Sequence, residues 1–110
     1  MAATFVGGTN DWTFVGTPAS HNIGISPAVA STFDNRLDVS VLAIVMMVLR
    51  DNSGQMVYYS TATLNITRGS YGTAYTPVFG LPVGTYYATI FAMTTGGVAI
   101  SNSSSIAFSA

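Results

Sequence analysis

The stretch that decides the fold is Leu37-Asp38-Val39-Ser40-Val41-Leu42-Ala43-Ile44-Val45-Met46-Met47-Val48-Leu49-Arg50. It is rich in β-branched residues and holds neither Gly nor Pro, so it predicts one long strand. Successive side chains of a strand point to opposite faces. One face therefore carries Val39, Val41, Ala43, Val45, Met47 and Leu49, and the other Ser40, Leu42, Ile44, Met46 and Val48. A strand with one side in water alternates apolar with polar residues. This one is apolar on both sides over roughly 30 Å of extended chain. Something must cover the second face. It is either a loop or the N-terminal segment of the same chain, or a neighbouring subunit.

Outward from this strand the β signals continue, and helix signals are nearly missing. Further strands are predicted near 3–6, 12–16, 28–33, 55–66, 73–79, 85–94 and 97–108. Asp51-Asn52-Ser53-Gly54 and Thr94-Thr95-Gly96-Gly97 read as tight hairpins. Gly69-Ser70-Tyr71-Gly72 and Gly80-Leu81-Pro82-Val83-Gly84 mark two further turns. The expected architecture is all-β, an antiparallel sandwich of about seven to eight strands with an N-terminal extension strand. Residues 1–16 are read as the arm and 17–110 as the sandwich domain. A chain of 110 residues suits one such domain, with no need of a disulfide or metal to hold it.

Composition narrows the function. Charged residues make up 6% of the chain, against about 25% in an ordinary protein. Arg36, Arg50 and Arg68 face Asp11, Asp34, Asp38 and Asp51, and there is no Lys, Glu or Cys. Polarity comes instead from twelve Ser and fourteen Thr. A Walker-type phosphate loop lacks its Lys. Structural zinc lacks its ligands. Three arginines do not make a face for nucleic acid. Val39–Leu49 is the longest apolar stretch at eleven residues, with Ser40 inside it, so no membrane insertion is expected where a span needs about 20. Met1-Ala2-Ala3-Thr4-Phe5 shows neither the basic nor the long apolar region of a secretory signal. A net charge of −1 leaves little repulsion between molecules and favours association. Few ionisable groups also imply stability that hardly responds to pH.

Leu81-Pro82-Val83-Gly84-Thr85-Tyr86-Tyr87-Ala88-Thr89-Ile90-Phe91-Ala92 resembles the penultimate strand of immunoglobulin-like and fibronectin type III-like sandwiches. In these a Leu-x-x-Gly-x-Tyr turn leads into the strand, and the Tyr hydroxyl bonds back to upstream backbone. The resemblance gives Tyr86 that corner role and puts Ala88 where antibody domains have a Cys. Gly97-Val98-Ala99-Ile100-Ser101 looks like the last strand of such a fold. The match spans about 37–108 and departs from the antibody branch, since there is no disulfide and the sole Trp12 precedes the central strand. Together with the low charge and the Ser/Thr content, the chain is similar to subunits of extracellular filaments such as archaeal threads and bundling pili, and more distantly chaperone–usher pilins. Those filaments pass an N-terminal strand from one subunit into the next.

Residues with chemical potential read mostly as ordinary ones. His21, in Pro18-Ala19-Ser20-His21-Asn22, stands in a loop-like stretch without a nucleophile elbow. Four Asp offer no convincing glycosidase pair. Asp34-Asn35-Arg36-Leu37-Asp38 clusters oxygen ligands for calcium, but reads first as a turn with Arg36 in its middle. Tyr58, Tyr59, Tyr71, Tyr75, Tyr86 and Tyr87, with Trp12, suggest a carbohydrate platform; adjacent Tyr pairs, however, split between two faces. Lys–Asn isopeptide bonds are impossible without Lys. Asn65-Ile66-Thr67 and Asn102-Ser103-Ser104 match the N-glycosylation pattern.

The reading is a non-enzymatic, cofactor-free structural subunit whose partner is itself, forming an extracellular or cell-surface homopolymer that carries N-glycans at Asn65 and Asn102. A virion component (capsid, fibre or decoration) and a carbohydrate-binding module are the alternatives. The expected subunit contacts are Leu42, Ile44 and Met46 on the second face of the long strand, and Phe5, Val6, Trp12 and Phe14 in the arm. Gly7-Gly8-Thr9-Asn10 is the hinge that lets the arm enter a neighbour.

Overall fold

The computed structural model describes residues 8–23, 26–37 and 39–109. Among them lie eight strands and no helix: β1 (Trp12–Phe14), β2 (Ala19–Ile23), β3 (Ser26–Asn35), β4 (Val41–Arg50), β5 (Met56–Ile66), β6 (Tyr71–Pro77), β7 (Thr85–Thr94) and β8 (Ser104–Ser109). They form two antiparallel sheets of a β-sandwich. In the first sheet β3 is central, with β6 along one side and β1 and β2 along the other. The second has the order β5-β4-β7-β8.

The first sheet departs from the sequence reading at one place. β1 and β2 run one after the other along the same side of β3. Phe14 pairs with Phe33 and Ala19 with Ala30, so five steps on one strand match three on the other. Val15–Pro18 takes up the two extra residues as a bulge. Residues 19–23, expected as loop around His21, are thus strand. Ala-Ser-His-Asn-Ile has little β-propensity of its own, and its conformation comes from pairing with Ser26–Ala30. The arm boundary at residue 16 falls within this bulge, so the described part of the arm belongs to the first sheet. The strand expected near 3–6 lies outside the described residues. At the other end, the last strand starts at Ser104 rather than at residue 97. The chain before it caps β7 instead, through Thr94 N–H to Val98 O at 2.8 Å and Ile100 N–H to Ala92 O at 3.0 Å.

The core is where the two inner faces meet. β4 contributes Val41, Ala43, Val45, Met47 and Leu49, the last four fully buried, and β7 contributes Tyr86, Ala88, Ile90 and Ala92. Val29, Phe33 and Trp12 answer from the first sheet, with Ile66, Ile100 and Val78 closing the ends. Each large aliphatic side chain so buried stabilises by about 1.5–3 kcal/mol. Gly72 is required by this packing: a Cβ there would lie 2.8 Å from Ile66 Cγ1, where the chain passes between sheets. Buried polar groups are mostly bonded. Thr76 donates its hydroxyl to Val29 O at 3.0 Å. Asn35 donates to Val39 O and Ile66 O and accepts from the Leu37 N–H. That one amide ties the end of the first sheet to two strands' ends in the second.

Candidate interaction face

Register in the second sheet determines which side chains share its outer surface, because directly paired residues lie on the same face. Leu42 pairs with Asn65. Ile44 pairs with Thr63 and Met93, Met46 with Thr61 and Phe91, and Val48 with Tyr59 and Thr89. Arg50 pairs with Tyr87 at the end of the row. Down the middle runs Leu42, Ile44, Met46 and Val48, flanked by Phe91 and Met93 on one side and by threonines on the other. Leu42 is 53% exposed and Tyr59 61%, while Ile44, Met46, Val48, Phe91 and Met93 are half-buried by their cross-strand neighbours. The face is an apolar strip with a hydroxyl margin, and its one formal charge is Arg50 at the tip.

The strands around it are equally free of charge. Among the described residues β2, β5, β6 and β8 each pair along one side only, β1 pairs with β3 and bonds Ile100 O through the Trp12 N–H, and none of the five carries Asp, Glu, Lys or Arg. Soluble sheet proteins usually blunt such edges with charge or Pro. Here Pro77 at the end of β6 and the irregularity where β5 passes Leu49/Arg50 are the devices present among these strands.

The other candidate residues sort as follows. Leu42, Ile44 and Met46 lie together on the outer strip. Trp12 and Phe14 do not join them. Trp12 is fully buried in the chain's own core, with its ring centroid 5.6 Å from that of Phe33, and Phe14 stacks on Phe33 at 4.6 Å. Within the single chain they fill the sandwich, where β1 pairs with β3 and Trp12 N–H bonds Ile100 O at 2.8 Å. Phe5 and Val6 lie outside the described residues. Tyr86 turns inward and donates its hydroxyl to Pro82 O at 2.9 Å, a bond back to upstream backbone. Asn65 and Asn102 are both exposed, Asn65 on β5 opposite Leu42 and Asn102 in the segment before β8.

Within the Asp34–Asp38 cluster the Asn35 oxygen is committed to the Leu37 N–H. The Asn35 side chain is consumed by three backbone groups, and Asp38 lies outside the described residues. Asp51 serves its turn: its Oδ1 accepts from the Ser53 hydroxyl at 2.7 Å, the Ser53 N–H and the Gln55 N–H. The Ser53 hydroxyl first, then the Gln55 N–H, hold this carboxyl below the usual carboxylate range. Gly54, at φ 82°, supplies the left-handed residue that the turn needs. The tyrosines divide as strand parity requires, Tyr58 and Tyr86 facing inward and Tyr59 and Tyr87 outward.

No protein-family model matches the chain, and no curated protein matches it.

Sequence reasoning missed Tyr59, Tyr87, Phe91 and Met93 as members of the strip. For Tyr59 a signal exists: the Asp51–Gly54 turn fixes how β5 folds back on β4. Phe91 and Met93 reach the strip through a pairing between strands far apart in sequence, and no local signal encodes that register.

Proposed function

We propose that the chain is a non-enzymatic structural subunit, an immunoglobulin-like sandwich that polymerises with copies of itself into an extracellular filament. The observation that carries the reading is the outer surface of the second sheet, an apolar strip bordered by strands without charge. A contiguous apolar patch of this kind marks an interaction site rather than a solvated surface. The order β5-β4-β7-β8 opposite a β3-centred sheet, with the Tyr86–Pro82 bond on the penultimate strand, supports the immunoglobulin-like or fibronectin type III-like assignment. Trp12 and Phe14 are already used, so a donated strand would be the segment carrying Phe5 and Val6. A strand that enters a neighbour makes a head-to-tail contact that does not close, and hence a fibre. Exposed Asn65 and Asn102 are the positions at which a glycosylating cell would modify an exported chain.

The test is electron microscopy of the purified chain at neutral pH, with light scattering over a concentration series. Filaments, or a mass that grows with concentration, are expected. A clean monomer at high concentration would overturn the reading.

A further inference from the structure

The filament reading leaves open what lies against the outer strip of the second sheet. We infer that it is the same strip of a second copy, packed face to face about a two-fold axis near Ile44 and Met46. The inference deepens the self-association reading above but does not require the head-to-tail joint.

The first argument is area. Strands about 4.8 Å apart and about 3.4 Å of rise per residue make a four-stranded, ten-residue face on the order of 500 Å² in footprint. Two such faces give roughly 1,000 Å² in all, about the least area that a specific interface needs. The second is chemistry. Leu42, Ile44, Met46, Val48, Phe91 and Met93 offer dispersion and apolar area but almost no hydrogen-bonding groups, so an apolar occupant with a matching twisted surface fits them best. The same strip of another copy meets both conditions, since sheets stack face to face at about 10 Å. The third is charge. Arg50 stands at one end of the row, and the uncharged pair Leu42 and Asn65 at the other. A two-fold axis in the plane of the contact and across the strands puts the two arginines at opposite ends, each over the uncharged Leu42–Asn65 end of the other copy. A two-fold axis along the strands would set them against each other at a cost. Charge therefore selects the axis across the strands, and the isologous contact closes as a dimer.

A consequence follows for glycosylation. A glycan on Asn102 is compatible with this pairing, whereas one on Asn65 would stand in the interface beside Leu42.

The experiment is sedimentation velocity of the full chain and full-length variants at neutral pH, with circular dichroism to confirm folding. Met46→Lys places two like charges across the axis and should weaken pairing at least about tenfold. Met46→Thr, a milder change that keeps the strand, should weaken it in the same direction. Tyr71→Lys adds the same charge on the opposite surface, where Tyr71 is 70% exposed, and should leave pairing unchanged. A double variant Phe5→Asp, Val6→Asp should abolish filaments and leave the dimer. Dimers without filaments in the unmodified chain would sink the filament reading and keep this one. Association that survives both Met46 variants, or full glycan occupancy of Asn65 in the paired form, would overturn the face-to-face inference and leave the filament reading standing. A strip occupied by lipid would show as detergent- or vesicle-bound monomer, which also overturns it.

Discussion

The two outer surfaces of the sandwich are built on the same strand geometry and differ in what they show to water. On the first sheet, paired positions give Thr13 with Asp34, Thr32 with Thr73, and Ala30 with Tyr75. Thr32 and Thr73 share a hydrogen bond at 2.8 Å between their hydroxyls. Polar groups recur along that surface, as on an ordinary half-solvated sheet. On the second sheet the central row is Leu42, Ile44, Met46 and Val48, and polarity retreats to the threonines of β5 and to Arg50. The first sheet is also poor in charge, so low charge alone does not distinguish the second surface. What sets the second apart is a continuous apolar row on a central strand, extended by β7.

The sharpest way to break this comparison uses two neighbouring methionines. Met47 is fully buried between the sheets, and Met46 is on the outer strip. Met47→Lys buries an unpaired charge and should cost more than about 4 kcal/mol, leaving the chain unfolded or nearly so in a urea titration. Met46→Lys should change the same unfolding midpoint by less than about 1 kcal/mol while reducing association. Equal loss of stability in both would mean that the outer strip is part of the fold rather than an interface.

Trp12→Ala comes next. It removes the largest ring at the end of the first sheet and should cost about 3–5 kcal/mol by denaturant unfolding. Part of the ring's contribution is offset already, because Trp12 Nε1 is buried without a hydrogen-bond partner among the described residues. A cost below about 1 kcal/mol would return Trp12 to the role of a detachable anchor. Tyr86→Phe is a smaller probe. It leaves the ring in the core, loses the bond to Pro82 O and should lower stability by about 1 kcal/mol in the same assay.

These contrasts also separate what the sequence made legible from what it did not. The two-faced strand and the Asp51–Gly54 hairpin were readable because alternation and turn chemistry act within a few residues. The bond from Tyr86 was readable through the Leu81–Tyr86 pattern. β2 was not, since Ala19–Ile23 becomes strand only by pairing with β3. The place of Trp12 was not legible for a related reason: an aromatic segment ahead of a complete-looking sandwich reads as spare, and its pairing with Asn35 within the chain is a long-range contact. The strip was half legible. β4 announced itself, but Phe91 and Met93 reach it through a long-range register that no local pattern records.

The smallest expected effect concerns pH. Among the described residues no Asp or Arg stands in the core, so both sheets should unfold at nearly the same temperature between about pH 5 and 8, measured by calorimetry. Asp51 is the exception in sign. Its folded pKa is depressed, so its contribution is present above the unfolded value and is lost as pH falls through the folded one. Asp51→Ala should therefore lower the unfolding temperature slightly at neutral pH and converge on the unmodified chain in strong acid. A midpoint that moves steeply near neutrality would show that a titrating group matters to the fold.

The central claim is that the outer strip of the second sheet is covered by another copy, and methionine oxidation reads it directly. Met56 is 56% exposed at the start of β5, Met47 is fully buried, and Met46 and Met93 sit on the strip. Brief peroxide treatment followed by peptide mass spectrometry, across a dilution series, measures all four in one experiment. Met56 should oxidise at every concentration and Met47 at none. Met46 and Met93 should be protected when the chain is concentrated and lose that protection together on dilution. Rates at Met46 and Met93 that do not change as the assembly dissociates would contradict the account.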